Sequence, residues 1–173
     1  MGAVLEAAKA VFANSGVDAP VREIAARAGV GVGTLYRHFP QRSDLVVAVF
    51  EHEIDECTSE AAVLAQECDP DEALVRWLHR YAELLGTKRG LAAALHSGDA
   101  AFDALPAYFD SRMQPALRSL LDAAAGAGVI RRDVDANDLL HAVAYLCTSA
   151  DPGQSSRMLA LLTDGLRYGA PST

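Results

Sequence analysis

Residues 21–39 read VREIAARAGVGVGTLYRHF, and the reading of this stretch decides the fold. Glycines at 29, 31 and 33, followed by a threonine, an aromatic and basic side chains, point to a loop that holds phosphate. The phosphates belong either to a bound nucleotide or to a DNA backbone. A dinucleotide loop needs G-x-G-x-x-G between a strand and a helix. Here the third glycine comes one residue early, and the segment before Gly29 has helical rather than alternating apolar spacing. The lysine of the alternative loop, G-x-x-x-x-G-K-S/T, is missing too.

What remains is a helix from about Val21 to Ala28, a four-residue turn, and a second helix opened by Gly31 and running to about His38. Ala25 lets the two helices approach closely, Gly29 supplies a left-handed turn, and Val30 and Leu35 pin the angle from inside. A helix-turn-helix built this way sends its second helix into the major groove of DNA. The alternative is a helical hairpin that serves packing alone.

Outward from this core the periodicity stays helical. Val4, Leu5, Ala8, Val11 and Phe12 share one face of a first helix that stops near Gly16. From about Arg42, residues Val46, Phe50, Ile54, Cys57, Ala61, Leu64 and Cys68 recur every three or four positions, predicting a helix roughly 36 Å long. Asp69 as N-cap, Pro70 at the first helical position and Glu72 two further on predict the next helix start. Helices follow at about 88–97, 101–125, 136–150 and 154–168; Pro106 is an alternative true start for the second of these, and a kink is expected at Pro115. The fold class is therefore all-α: a three-helix head, residues 1–45, joined by a long fourth helix to a helical body, residues 46–173.

The chain has 173 residues and a net charge of −8, distributed unevenly: residues 1–45 carry +1 and the remainder −9. A near-neutral, arginine-bearing head on an acidic body fits polyanion binding by one end only. No apolar run is long enough to span a bilayer and no signal peptide opens the chain, so a soluble, cytoplasmic protein with no membrane partner is expected. Cys57, Cys68 and Cys147 are too scattered for a disulfide framework or a zinc motif and read as structural thiols; no metal and no cofactor are expected. His79, His96, Ser97 and Asp99 could be grouped as a catalytic set, but no nucleophile elbow, metal-ligand spacing or carboxylate pair supports them, and the chain is read as no enzyme.

VREIAARAGVGVGTLYRHFPQRSDLVVAVF, with the helix before it, resembles the DNA-binding head of the TetR (tetracycline-repressor) family of bacterial regulators. The likeness is close over residues 4–50, and the T-L-Y-x-H-F run carries it. It implies a homodimer that binds a partly palindromic operator of double-stranded DNA and releases it when a small molecule enters the body. By position, Val32, Gly33, Thr34 and His38 would face bases or adjacent phosphates, Tyr36 and Arg42 would each hold a backbone phosphate, and Arg22 would reach phosphate from the flank; Gly31 and Arg37 complete the DNA-facing set. The family's effector pocket would be lined by Trp77, Tyr81, Leu95, Phe102, Phe109, Met113, Leu117, His141 and Tyr145, each of which could equally be core. Its dimer bundle would use Leu139, Leu140, Val143 and Leu146 on one helix and Leu159, Leu162 and Leu166 on the other.

Two departures predict weaker DNA binding. Gly31 stands where many relatives have serine or threonine, and the sequence starts almost directly at the first helix, where relatives usually carry a basic arm. They keep open one alternative, a TetR-like scaffold that has lost DNA binding and binds a ligand or partner; the three cysteines separately keep open another, a cysteine-based redox sensor.

Overall fold

The computed structural model describes residues 1–90, 98–147 and 152–168. Eight α-helices lie among them and no strand: α1 (Gly2–Ser15), α2 (Val21–Ala28), α3 (Val32–His38), α4 (Arg42–Glu67), α5 (Pro70–Gly90), α6 (Leu105–Gly126), α7 (Ala136–Leu146) and α8 (Pro152–Arg167). A 3-10 turn, Ala100–Phe102, precedes α6, and the Asp99 carboxylate caps it by accepting from the Ala101 amide at 2.9 Å. No helix of the described residues is long and apolar enough to cross a membrane.

The chain divides into two compact units, residues 1–54 with 86–109, and residues 55–85 with 110–173. The first break falls inside α4, nine residues beyond the 45/46 boundary expected from the sequence, and the segment after α5 belongs to the first unit.

In the first unit, α1 buries Leu5, Ala8, Val11 and Phe12 and packs on α2, which packs in turn on α3. α2 has the bounds its sequence announces, because Pro20 opens it and Gly29 closes it. At Gly29 the backbone is left-handed (φ 69°, ψ 26°), and the Val30 amide reaches back to the Ala25 carbonyl at 3.0 Å. That six-to-one bond satisfies a carbonyl the helix end would leave orphaned and turns the chain toward α3. The apolar stripe predicted for α4 is buried from Val46 to Leu64; only Cys68, one residue past the helix, is half-exposed.

Two polar ties cross this unit. The Arg42 guanidinium donates to the Val17 carbonyl, fastening the α1–α2 loop to the start of α4. Lys9 on α1 pairs with Glu53 on α4 at 2.5 Å, and the Glu53 side chain is almost wholly enclosed while Lys9 keeps about a third of its surface, 32 %, in water. Beside them Glu6 lies 3.5 Å from His52.

In the second unit Trp77 is fully enclosed and stacks on Tyr81, with ring centroids 5.9 Å apart. α6 runs unbroken through Pro115, whose ring is exposed. It starts at Leu105, beside the alternative start at Pro106 and not at 101, because the 3-10 turn occupies the preceding segment. α5 continues to Gly90, past the expected start of the helix predicted at 88–97; residues 91–97 lie outside the described residues, as do 148–150 at the end of the helix predicted over 136–150. The Asp135 carboxylate caps α7, accepting from the Asn137 and Asp138 amides at 2.8 and 3.2 Å. Arg167 near the end of α8 holds Asp71 through both carboxylate oxygens, at 3.0 and 2.7 Å.

Candidate nucleic-acid interface

α3 is seven residues long and buries one of them. Leu35 is 2 % exposed, and Phe39 directly after the helix is 8 % exposed; these two anchor it to the unit beneath. Val32, Gly33, Thr34, Tyr36, Arg37 and His38 all face outward. Tyr36 leaves half its surface, 50 %, in water and Val32 40 %. At about 100° per residue, Gly33 and Arg37 stand nearly opposite Leu35, with Thr34 and Tyr36 on either side of them.

Gly31 is the N-cap of α3 rather than its first residue, in extended backbone (φ −70°, ψ 142°); its carbonyl accepts from the Thr34 and Leu35 amides at 2.9 and 3.2 Å. With no side chain it caps nothing, which leaves the first-turn amides to water or to a ligand. Arg22 is exposed on the first turn of α2. Arg42 stands apart from the rest: it is half-buried, and one guanidinium nitrogen is already given to Val17. Every residue of this set lies in the first unit.

The residues expected around an effector differ in burial and in the unit that holds them. Trp77, Tyr81, Met113 and Leu117 are buried in the second unit. Their polar atoms are spent on backbone: the indole N–H donates to the Cys57 carbonyl at 2.8 Å and the phenol to the Leu140 carbonyl at 3.2 Å. Burial, reinforced by Cys57, Cys147 and Asp110 nearby, pushes the Tyr81 phenol well above its ordinary range, so it stays a donor. His141 is exposed with its ring beside the Asn137 carbonyl, and Tyr145 is 77 % exposed, so neither belongs to that buried group. Phe102 and Phe109 lie in the first unit, and Leu95 lies outside the described residues, as do His96 and Ser97.

The leucines expected to meet a second copy are mostly used within one chain. Leu139, Leu140, Val143, Leu159 and Leu166 are buried in the second unit, and only Leu146 and Leu162 are half-exposed. The large apolar side chains that α7 and the α8 segment do expose are Tyr145, Leu161 and Tyr168, the last two at 73 % and 83 %. Sequence reading missed Leu161 and Tyr168 because they lie off the Leu159–Leu162–Leu166 stripe. The available signal was α8 carrying apolar residues on a second face, with Leu161, Gly165 and Tyr168 spaced as i, i+4 and i+7.

Comparison with known proteins agrees with this geometry. A family model described as bacterial regulatory proteins, tetR family, matches residues 4–49, and one described as transcriptional regulator SbtR-like, C-terminal domain, matches residues 69–168. A TetR transcriptional regulator from Streptomyces coelicolor is 38 % identical over 98 % of this chain and 99 % of its own, with a TM-score of 0.85. A TetR transcription regulatory protein from Mycobacterium vanbaalenii is 35 % identical over 96 % of this chain and 93 % of its own, with a TM-score of 0.74. A third solved structure, described as the molecular basis for control of antibiotic production by bacterial hormones, is 27 % identical over 96 % of each chain, with a TM-score of 0.71. No curated protein matches the chain. Because head and body each match a family model and the first of these relatives is similar along nearly its whole length, the chain belongs to the TetR family of DNA-binding transcriptional regulators.

Proposed function

We propose that the chain is a repressor: as a twofold dimer it holds a partly palindromic operator through α3, and a small molecule entering the body releases it. The observation that carries the DNA-reading role is the exposure of α3. A helix that commits one side chain to its own core and leaves an aromatic, a valine and two basic-capable side chains in water is built to be covered by something else. Phosphate contacts from Tyr36 and Arg22 hold register, while Val32, Thr34, Arg37 and His38 meet base edges or the phosphates beside them. Arg42 acts from within, holding the α1–α2 loop, and offers phosphate only its remaining nitrogens.

Dimerisation rests on the exposed face of α7 and α8. Tyr145, Leu161 and Tyr168 carry it, and exposed Gly165 between the last two would let a second helix come close. Reading a partly palindromic operator requires the two α3 helices of such a dimer to stand about 34–36 Å apart, one turn of DNA. The effector reading is supported by the 27 % identical relative, whose structure is described in terms of control by bacterial hormones. In this chain the effector would lie against Trp77, Tyr81, Met113 and Leu117, and since the indole and phenol are already bonded to backbone, its contacts there are apolar. Release requires that the effector bind the DNA-free state more tightly; equal affinity for both states would shift nothing.

The test is a reporter gene placed behind the chain's operator in a host lacking the protein. Supplying the chain lowers expression if it represses, and a small molecule that restores expression identifies the effector. A rise in expression would make the chain an activator, and a compound library that never restores it would remove the effector from the account.

A further inference from the structure

A fold uses glycine where the backbone needs positive φ or where a side chain would collide. Gly33 meets neither condition. Among the described glycines positive φ occurs at Gly16, Gly29, Gly98 and Gly128, not at Gly33. A Cβ on Gly33 would meet no atom of the described residues within 4 Å beyond its chain neighbours and the backbone of its own helix. Glycine also disfavours the helix in which it sits, more than any residue but proline. Seen from inside the chain, alanine would serve α3 better.

We infer that Gly33 is a specificity-determining residue, its missing side chain seating α3 against the base edges on the floor of the major groove. This rests on the DNA-reading role of α3 proposed above. Gly33 and Arg37, one turn apart, lie almost directly opposite the buried Leu35 at the centre of the outward face, with Thr34 and Tyr36 to either side. The long Arg37 side chain can swing along the base edges, whereas a Cβ at 33 would be fixed to the backbone. The centre of a helix inserted in a groove meets the floor and its flanks meet the phosphate walls. A helix with its side chains is about 10–12 Å across and the major groove about 12 Å wide, so depth of entry is limited by what projects from that centre. A methyl group on Gly33 would hold α3 off the bases and loosen every base contact at once, while the longer Tyr36 and Arg22 could still reach phosphate.

The experiment compares wild type with Gly33→Ala on two duplexes of equal length, the operator recovered by selection and an unrelated sequence. Because the space around Gly33 is open, the melting temperature of Gly33→Ala should equal that of wild type or exceed it by up to about 4 °C. Operator affinity should fall about tenfold or more, and affinity for the unrelated duplex should change by less than about twofold. Wild-type operator affinity in Gly33→Ala would overturn the inference and leave the DNA-reading role intact. Equal losses on both duplexes, or a lowered melting temperature, would overturn it as well, the first assigning Gly33 to phosphate and the second to packing. A folded wild type that binds neither duplex would overturn both the inference and the reading it rests on.

Discussion

Leu35 and Tyr36 are neighbours on one short helix, and the account assigns them opposite roles, so substituting each in turn tests it sharply. Leu35 is 2 % exposed and is the one buried residue of α3. Truncation by Leu35→Ala removes three buried carbons, worth about 2.4 kcal/mol in transfer at about 0.8 each. The cavity left behind brings the cost to roughly 3 kcal/mol, inside the range of about 2–5 for such changes. For a chain of this size that lowers the melting temperature by about 6–12 °C. A seven-residue helix cannot persist in water undocked, so operator binding falls with the packing. Tyr36→Phe removes only a hydroxyl from a half-exposed ring and should move stability by less than about 0.5 kcal/mol. It deletes a hydrogen bond to a charged phosphate, however, worth about 1.5 kcal/mol, or about tenfold in operator affinity. Thermal unfolding followed by circular dichroism, with fluorescence anisotropy on a labelled operator, reads both quantities. The reasoning is refuted if Leu35→Ala melts with wild type, or if Tyr36→Phe destabilises the fold while leaving operator affinity unchanged.

Other substitutions probe the remaining parts. Lys9→Met takes the cation from the enclosed Glu53 and should cost about 1–3 kcal/mol, less than a fully buried pair because Lys9 is partly in water; Lys9→Met with Glu53→Met should regain most of it, and strictly additive losses in denaturant unfolding would show the two do not interact. Leu161→Arg places a charge on the exposed face of α8 and should turn a dimer into a monomer by sedimentation, whereas an unaltered dimer would exclude that face from the interface. Asp135→Ala removes the cap of α7 and the link to Arg118 at 3.0 Å. The Asp135 pKa is held down chiefly by the Asp138 amide and then by Arg118, so its contribution is complete above the unfolded carboxylate range and fades as pH falls through the folded value. The melting-temperature gap between wild type and Asp135→Ala should therefore be open at pH 7 and close in strong acid; a gap independent of pH would assign the effect to something other than the carboxylate.

The head was legible because punctuation and periodicity agree there. Gly16 and Gly29 stop their helices with positive φ, of 76° and 69°, and the α4 stripe is buried through Val46, Phe50 and Ile54 in the first unit. The body was harder for a physical reason. An apolar stripe says that a face is covered, not by what, so Leu139 and Leu159 read as a dimer seam although their own chain covers them. Tyr145 and His141 read as polar handles of a pocket for the same reason, since spacing does not tell inward from outward when several faces of a helix are apolar. Glu53 was the opposite kind of omission. It sits seven residues after Val46 and three after Phe50, on the buried stripe, and an acid at such a position demands a partner that only the fold could name as Lys9. Pro115 lies inside α6, as its place in the helical pattern announced.

The central claim is that the outward face of α3 reads DNA. Its most direct test is selection of bound duplexes from a random library at low salt, with wild type and Tyr36→Phe in parallel. The account predicts enrichment of a partly palindromic sequence with half-sites about one helical turn apart, bound more weakly by Tyr36→Phe. A folded protein that enriches no sequence, or a sequence that Tyr36→Phe binds as tightly as wild type, would contradict it.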